Sequence, residues 1–233
     1  MIIFAVDSSA SAGSAALWRD GGIVSESYAD LGRTHSETLM ARCDEVFCKS
    51  GITPAQVDYY AVTSGPGSFT GLRIGMGTVK GLAFATGKPC VAVPTLEAMA
   101  YNVRGTDRTA VTVLDARRGR VYMAAFDAAD NITRLLQDSV VETAQLGDVF
   151  RDKKIILIGD AATMCYNKWH EKVNCVVADS EKLMPHASGA AYAAVGYINS
   201  GKAVSAAGLV AEYIQLPQAQ RELLARAAED KMR

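Results

Sequence analysis

No Cys-x-x-Cys pair occurs in the 233 residues, and the five cysteines, Cys43, Cys48, Cys90, Cys165 and Cys175, are odd in number. Both facts argue against a disulfide framework and against a cysteine-based zinc site. Charge of one sign is lacking as well: 24 Lys and Arg stand against 25 Asp and Glu, for a formal net charge of −1. Without a basic excess the chain has little to hold a polyanion unaided, which argues against stable tRNA or DNA binding by the chain alone. No apolar run approaches the roughly 20 residues of a membrane span. Met1-Ile2-Ile3-Phe4-Ala5-Val6 runs into Asp7 with no basic leader or cleavage site, so a cytoplasmic location is expected. Histidine is scarce too, and His35, His170 and His186 lie far apart. Apolar residues are what the chain has in plenty: at 49% they suit one large or two small globular domains.

The most informative stretch is Ser64-Gly65-Pro66-Gly67-Ser68-Phe69-Thr70-Gly71-Leu72-Arg73-Ile74-Gly75. Tyr59 to Thr63 reads as a buried strand, Gly65-Pro66-Gly67 breaks it, and Thr70 offers an N-cap hydroxyl. A helix is predicted from Gly71 to Ala85 or Thr86, stopped by Gly87 and Pro89. Gly71, Gly75, Gly77 and Gly81 each cost that helix about 1 kcal/mol relative to Ala. The spacing of four makes Gly71/Gly75 and Gly77/Gly81 two flat strips on different faces, open to packing on the domain's own sheet or on a partner chain.

Taken in order, Ile2 to Val6, Gly13 to Trp18 and Ile23 to Tyr28 read as an antiparallel meander. Thr34-His35-Ser36-Glu37 has capping-box spacing, and Leu39, Met40, Cys43, Val46 and Phe47 share one face of the helix that follows. Tyr59, the glycine-rich helix, Cys90 to Val93 and a helix near Thr95 complete a first α/β unit. From Ala110 the pattern restarts: Ala110 to Leu114 ends in Asp115, Ala116-Arg117-Arg118-Gly119 turns, and Val121 to Phe126 returns, followed by Ile132 to Val141. A short helix near Thr143 to Phe150, strands Ile155 to Ile158 and Cys175 to Val177, and a helix His186 to Ser200 follow, with an exposed charged helix expected over Arg221 to Arg233. The fold is read as a duplicated α/β unit, with lobes 1–104 and 105–233 divided at the polar stretch Val103-Arg104-Gly105-Thr106-Asp107.

Two mixed β-sheet lobes, each opening with strand, Asp, turn, strand, resemble the actin-like ATPase (ribonuclease H-like) fold. Within it, the stretch from Ser64 to Gly75, His35-Ser36-Glu37 and Asp115-Ala116-Arg117-Arg118-Gly119-Arg120-Val121-Tyr122 resemble the TsaB (YeaZ) family. The resemblance implies a non-catalytic scaffold that pairs with a catalytic paralogue, TsaD, for threonylcarbamoyl transfer to adenosine 37 of tRNAs reading codons that begin with A. It further implies a P-loop ATPase, TsaE, as third component, a homodimer when the chain is alone, and tRNA contact only through the complex. The implied partner interface is His35, Glu37, Leu39, Met40, Cys43, Phe47, Gly71, Ile74, Gly75 and Thr78. No cofactor is expected to bind tightly; weak ATP or ADP with Mg²⁺ at the complex interface is the implied exception. The chain departs from the family at its end, where Ala211-Glu212-Tyr213-Ile214-Gln215-Leu216-Pro217 places Gln215 at a family arginine.

The candidate nucleotide-facing residues are Asp7, Ser8, Asp115, Arg117 and Arg118. Asp7 at a strand end reads either as a plain turn former or as a holder of Mg²⁺ beside phosphates. The second turn carries Ala116-Arg117-Arg118 where a phosphate turn would supply Gly and Thr, and Ile158-Gly159-Asp160-Ala161 lacks the double glycine of an adenosine contact. TsaD carries a His-x-x-x-His metal pair; here Thr95 and Met99 stand at those places, and neither offers an imidazole. An independent ATPase or small-molecule kinase is the rival reading, with a peptidase behind it. For the latter, Gly67-Ser68-Phe69-Thr70-Gly71 is out of register with a nucleophile elbow, and Ser68 reads better as a loop hydrogen-bonder. Arg117, Arg118 and Arg120 form a basic cluster, open to a solvated turn or to contact with a phosphate.

Overall fold

The computed structural model describes residues 1–30, 32, 34–144 and 149–214. Its first sheet holds β1 (Ile2–Asp7), β2 (Gly13–Arg19), β3 (Gly22–Ala29), β4 (Tyr59–Gly65) and β5 (Cys90–Pro94) in the order β3-β2-β1-β4-β5. The second holds β6 (Thr109–Asp115), β7 (Arg120–Asp127), β8 (Thr133–Glu142), β9 (Lys154–Ile158) and β10 (Asn174–Val177) in the order β10-β9-β6-β7-β8. Read from the meander edge, the two orders are the same. β1 pairs antiparallel with β2 and parallel with β4, and β6 pairs antiparallel with β7 and parallel with β9. The duplication is real, and the fold is the actin-like one.

Both faces of the first sheet are covered, which is why β1 is a continuous apolar run and does not alternate. On one face α1 (His35–Ser50) and α2 (Phe69–Thr86) close over Phe4, Val6, Leu17, Tyr60 and Val62. On the other, α3 (Thr95–Ala100) and a later helix meet Ile3, Ala5, Ala16 and Val91. α4 (Ala162–Trp169) covers the second sheet, with Trp169, Phe150 and Ile155 in its core, and a single turn, α5 (Ser180–Leu183), follows β10.

The later helix, α6 (Ala187–Asn199), corrects the expected division of the chain. The division at residue 104 puts it in the second lobe, but Ala187, Ala190, Ala191 and Ala194 pack on the first sheet. The chain then stays there: Cys90 and Val204 exchange backbone hydrogen bonds of 2.7 and 2.8 Å, and Leu209 is fully buried in the first core. Residue 104 separates the sheets, but the material covering the first sheet comes from both halves of the sequence.

Two helix starts also differ from expectation. Ser68, not Thr70, caps α2: its Oγ accepts a hydrogen bond from Gly71 N at 3.2 Å, so the helix begins at Phe69. Thr34 does precede α1, but its hydroxyl makes no capping bond, and Glu37 N bonds to the Thr34 carbonyl oxygen at 3.1 Å. Of the helix expected over Thr143 to Phe150, residues 145–148 lie outside the described residues, as do Gln215 and the run from Arg221 to Arg233. Among the described residues no helix is long and apolar enough to cross a membrane.

Candidate interlobe cleft and helix surface

The turn after β1 is held from beneath. Asp7 is fully buried, and its carboxylate accepts from Ser9 Oγ at 2.9 Å and Ser9 N at 3.3 Å. Burial pushes its pKa up, against the pull of the hydrogen bonds from Ser9. Ser8 is buried too, and its hydroxyl donates to the Gly71 carbonyl oxygen at 2.9 Å. Only a glycine fits there: a Cβ on Gly71 would stand 2.0 Å from Ser8 O, and one on Gly75 would stand 2.4 Å from Ser8 Oγ. Ser68 N donates to Ser9 O at 2.7 Å, so the loop from Ser64 to Ser68 docks on the same turn.

Above this turn a cleft of about 540 Å³ opens between the lobes. Ser9, Ala10 and Ser11, together with Pro66 to Thr70, line the first lobe's side. Asp115, Ala116, Arg117, Tyr122 and Asp160 line the second, and Glu212, Tyr213 and Ile214 complete the wall. Asp7 and Ser8, expected to face a nucleotide, are therefore sealed below the cleft, and the residues that reach it are Ser9 to Ser11. Asp115 and Arg117 do line it; Arg118 does not.

The second turn is braced by carboxylates. Asp115 N donates to Asp160 Oδ1 at 2.8 Å and Arg117 N donates to Asp115 Oδ1 at 2.7 Å. Arg117 and Arg118 adopt φ of 65° and 59°, a left-handed backbone that costs a side-chain-bearing residue roughly 1–2 kcal/mol. Burial, together with the nearby Asp115 charge, pushes Asp160 up, while its backbone hydrogen bonds pull the other way. Three carboxylates, Asp115, Asp160 and Glu212, thus line the cleft beside one guanidinium, Arg117. Such a wall repels a polyphosphate unless a cation comes with it.

Glu212 and Tyr213 were not legible as site residues. They reach the cleft because the chain returns to the first lobe, where Glu212 N donates to Ser64 O at 2.8 Å and the Tyr213 ring lies 5.1 Å from that of Phe69. Local sequence carries no signal for that return. Ser68 is occupied as the cap of α2. Thr95 and Met99 are fully buried, and Glu97 between them accepts from Arg134 Nη2 at 2.9 Å and Tyr197 OH at 3.0 Å. That trio ties β8 to α3 and α6.

The outer face of α1 and α2 is a second surface. Of the ten residues expected at an interface, several point inward: Leu39 and Cys43 are in the first core, the Phe47 ring stacks on Phe4 at 4.3 Å, and Gly71 and Gly75 pack on Ser8. His35 is half-buried, with Nε2 donating to Ala10 O at 2.8 Å. The inward turn follows from the amphipathic stripe itself, since Leu39, Cys43 and Val46 are its buried side. Glu37 and Met40 are exposed, and Ile74 and Thr78 partly so. The other strip, Gly77 and Gly81, has no atom within 4 Å of where a Cβ would stand. It leads to Phe84, which is 85% exposed.

The family described as "TsaD: tRNA N6-adenosine threonylcarbamoyltransferase" matches residues 8–218. Among curated relatives, the "tRNA threonylcarbamoyladenosine biosynthesis protein TsaB" of Escherichia coli is 29% identical over 213 residues, covering 88% of this chain and 90% of that protein. The protein of the same name from Bacillus subtilis is 30% identical over 154 residues, covering 66% and 67%. Among solved structures, YeaZ from Pseudomonas aeruginosa superposes with a TM-score of 0.78 at 25% identity, covering 91% of this chain and 99% of that one.

Proposed function

Because the chain belongs to the TsaB and TsaD family of tRNA threonylcarbamoyladenosine biosynthesis proteins, we propose that it is a non-catalytic scaffold. In this reading it pairs with a catalytic TsaD-type homologue and supports threonylcarbamoyl transfer to adenosine in tRNA, with a TsaE-type ATPase as a third component. The observation that carries the pairing is the open strip of α2. Two helix-interior glycines that no packing requires leave a flat path for another backbone, and Phe84, one turn on and 85% exposed, extends it with apolar surface. In the absence of the homologue the same surface supports a two-fold self-contact.

The non-catalytic role is supported by side-chain chemistry. Thr95 and Met99 lie in the core and offer no imidazole, and Asp7 is shut away from the cleft. The cleft itself favours the second reading, an independent ATPase or small-molecule kinase. Its three carboxylates against one arginine oppose that reading.

Sedimentation velocity with a TsaD protein tests the pairing. Gly77→Leu and Gly81→Leu are expected to leave the isolated chain folded, since open space receives the side chain, and to weaken the pair by at least about tenfold. Wild-type pairing by both variants would refute the proposed surface.

A further inference from the structure

A second pocket, of about 300 Å³, lies at the far ends of the strands whose near ends build the cleft. Trp18 from the end of β2, Asn131 from the turn after β7, Tyr101 and Arg104 from the link between lobes, and Tyr192 and Gly196 from α6 line it. Tyr101 and Tyr192 lie nearly parallel, 6° apart with centroids at 6.0 Å, and the Arg104 guanidinium sits 6.0 Å from the Tyr192 centroid.

Two independent features have no structural use here. Trp18 is only 7% exposed, and its indole N–H is buried without a hydrogen-bond partner. A buried orphan donor calls for an explanation. Gly196 sits inside α6 at a backbone conformation that any residue can adopt, and no atom lies within 4 Å of where its Cβ would stand. Alanine would suit the helix better, so the glycine keeps a space free that the protein itself does not fill.

We propose that this pocket is a stacking site for a single nucleobase. Three aromatic side chains supply faces for a planar ring. The polar groups lining it, Arg104, the Asn131 amide and Trp18, call for a ring with acceptor atoms on its edge. An aliphatic or phenyl side chain from another protein would make no use of those donors. A cationic guest would face Arg104 with no carboxylate lining the pocket to hold it. Because the whole chain carries a formal charge of −1, stacking and not phosphate attraction supplies the affinity. The base reaches the site on a free nucleotide or as an unpaired residue of RNA. This inference does not rest on the pairing reading.

Trp18 reports the test directly, because the other tryptophan, Trp169, is shut in the second core and gives a constant background. Adenosine, adenosine monophosphate and hexaadenylate are titrated into the full chain while its emission is followed. Saturable quenching by adenosine monophosphate is expected, with little dependence on salt. Gly196→Leu should lower that affinity by at least about tenfold with no loss of melting temperature, and Arg104→Gln should weaken adenosine and its monophosphate alike. Hexaadenylate binding at least about tenfold tighter than the monophosphate identifies RNA as the source; equal binding identifies the free nucleotide. The proposal is overturned if no probe quenches saturably, or if both variants titrate like wild type. Should Gly196→Leu fail to fold, the exposed Arg104→Gln decides alone.

Discussion

At the scale of single residues, the four glycines of α2 divide by what one methyl group would meet. Gly71→Ala and Gly75→Ala drive a Cβ into Ser8 and should lose about 1–3 kcal/mol or more by overpacking. Gly77→Ala and Gly81→Ala enter open space and should gain up to about 1 kcal/mol each in urea unfolding. The spacing of the two strips was legible in the sequence. Which strip faces inward was not, because Ser8 lies 63 positions from Gly71 and only the folded chain brings them together. A second residue-scale effect is the pair His186 and Glu26, with Nδ1 and Oε1 3.4 Å apart and the Tyr28 ring stacked on the imidazole at 4.3 Å. Burial alone would lower the His186 pKa, but the hydrogen bond and charge of Glu26 raise it above its usual 6.5. Burial alone would raise Glu26, but His186 and the Ser188 backbone bring it below its usual 4.5. A raised histidine stabilises fully below its unfolded pKa and loses that contribution as pH rises through the folded one. A lowered carboxylate stabilises above its unfolded pKa and loses that contribution as pH falls through its folded one. The pair therefore contributes most between about pH 4.5 and 6.5. Glu26→Gln should cost more stability at about pH 5.5 than at about pH 8.5, and an equal cost at both would show that the pair does not titrate this way.

At the scale of elements, periodicity located nearly every strand and the long helices, because each carries its own apolar face. The start of α2 shifted to Ser68 because two hydroxyls compete for one cap and only the tertiary fold of the loop decides between them. The placement of α6 was beyond the sequence for a different reason. Its face of Ala187, Ala190, Ala191 and Ala194 reads as generic helix, while its use is close approach to a sheet formed some 170 residues earlier, where Ala187 N donates to Ser14 Oγ across a separation of 173. Ala191→Leu should therefore destabilise by about 1–3 kcal/mol. The segment after α6 has a similar anchor in Leu209, and Leu209→Ala should cost about 2–5 kcal/mol. Chemical denaturation of both variants checks the two figures; an unchanged midpoint for either would mean that its element is not held as described. The same segment delivers Glu212 and Tyr213 to the cleft, so the missed site residues and the missed packing have one cause.

At the scale of the whole molecule, two lobes of one design have been put to unequal use. The first carries the docked loop and the open helix face; the second contributes a turn whose Asp115 and Arg117 form the facing wall of the cleft. The duplicated plan was legible because strand, Asp, turn and strand recur in order. The sealing of Asp7 was not, since a strand-end aspartate has the same local sequence whether it faces a cleft or lies beneath one. In the proposed role this chain supports a reaction it does not perform. Threonylcarbamoyl transfer to tRNA is to be measured with the chain alone, with a TsaD protein alone, and with both together. Background turnover by the chain alone is expected, with strong stimulation of the homologue by the wild-type chain and loss of that stimulation with Gly81→Leu. Turnover by the chain alone, or stimulation indifferent to Gly81→Leu, would contradict that role.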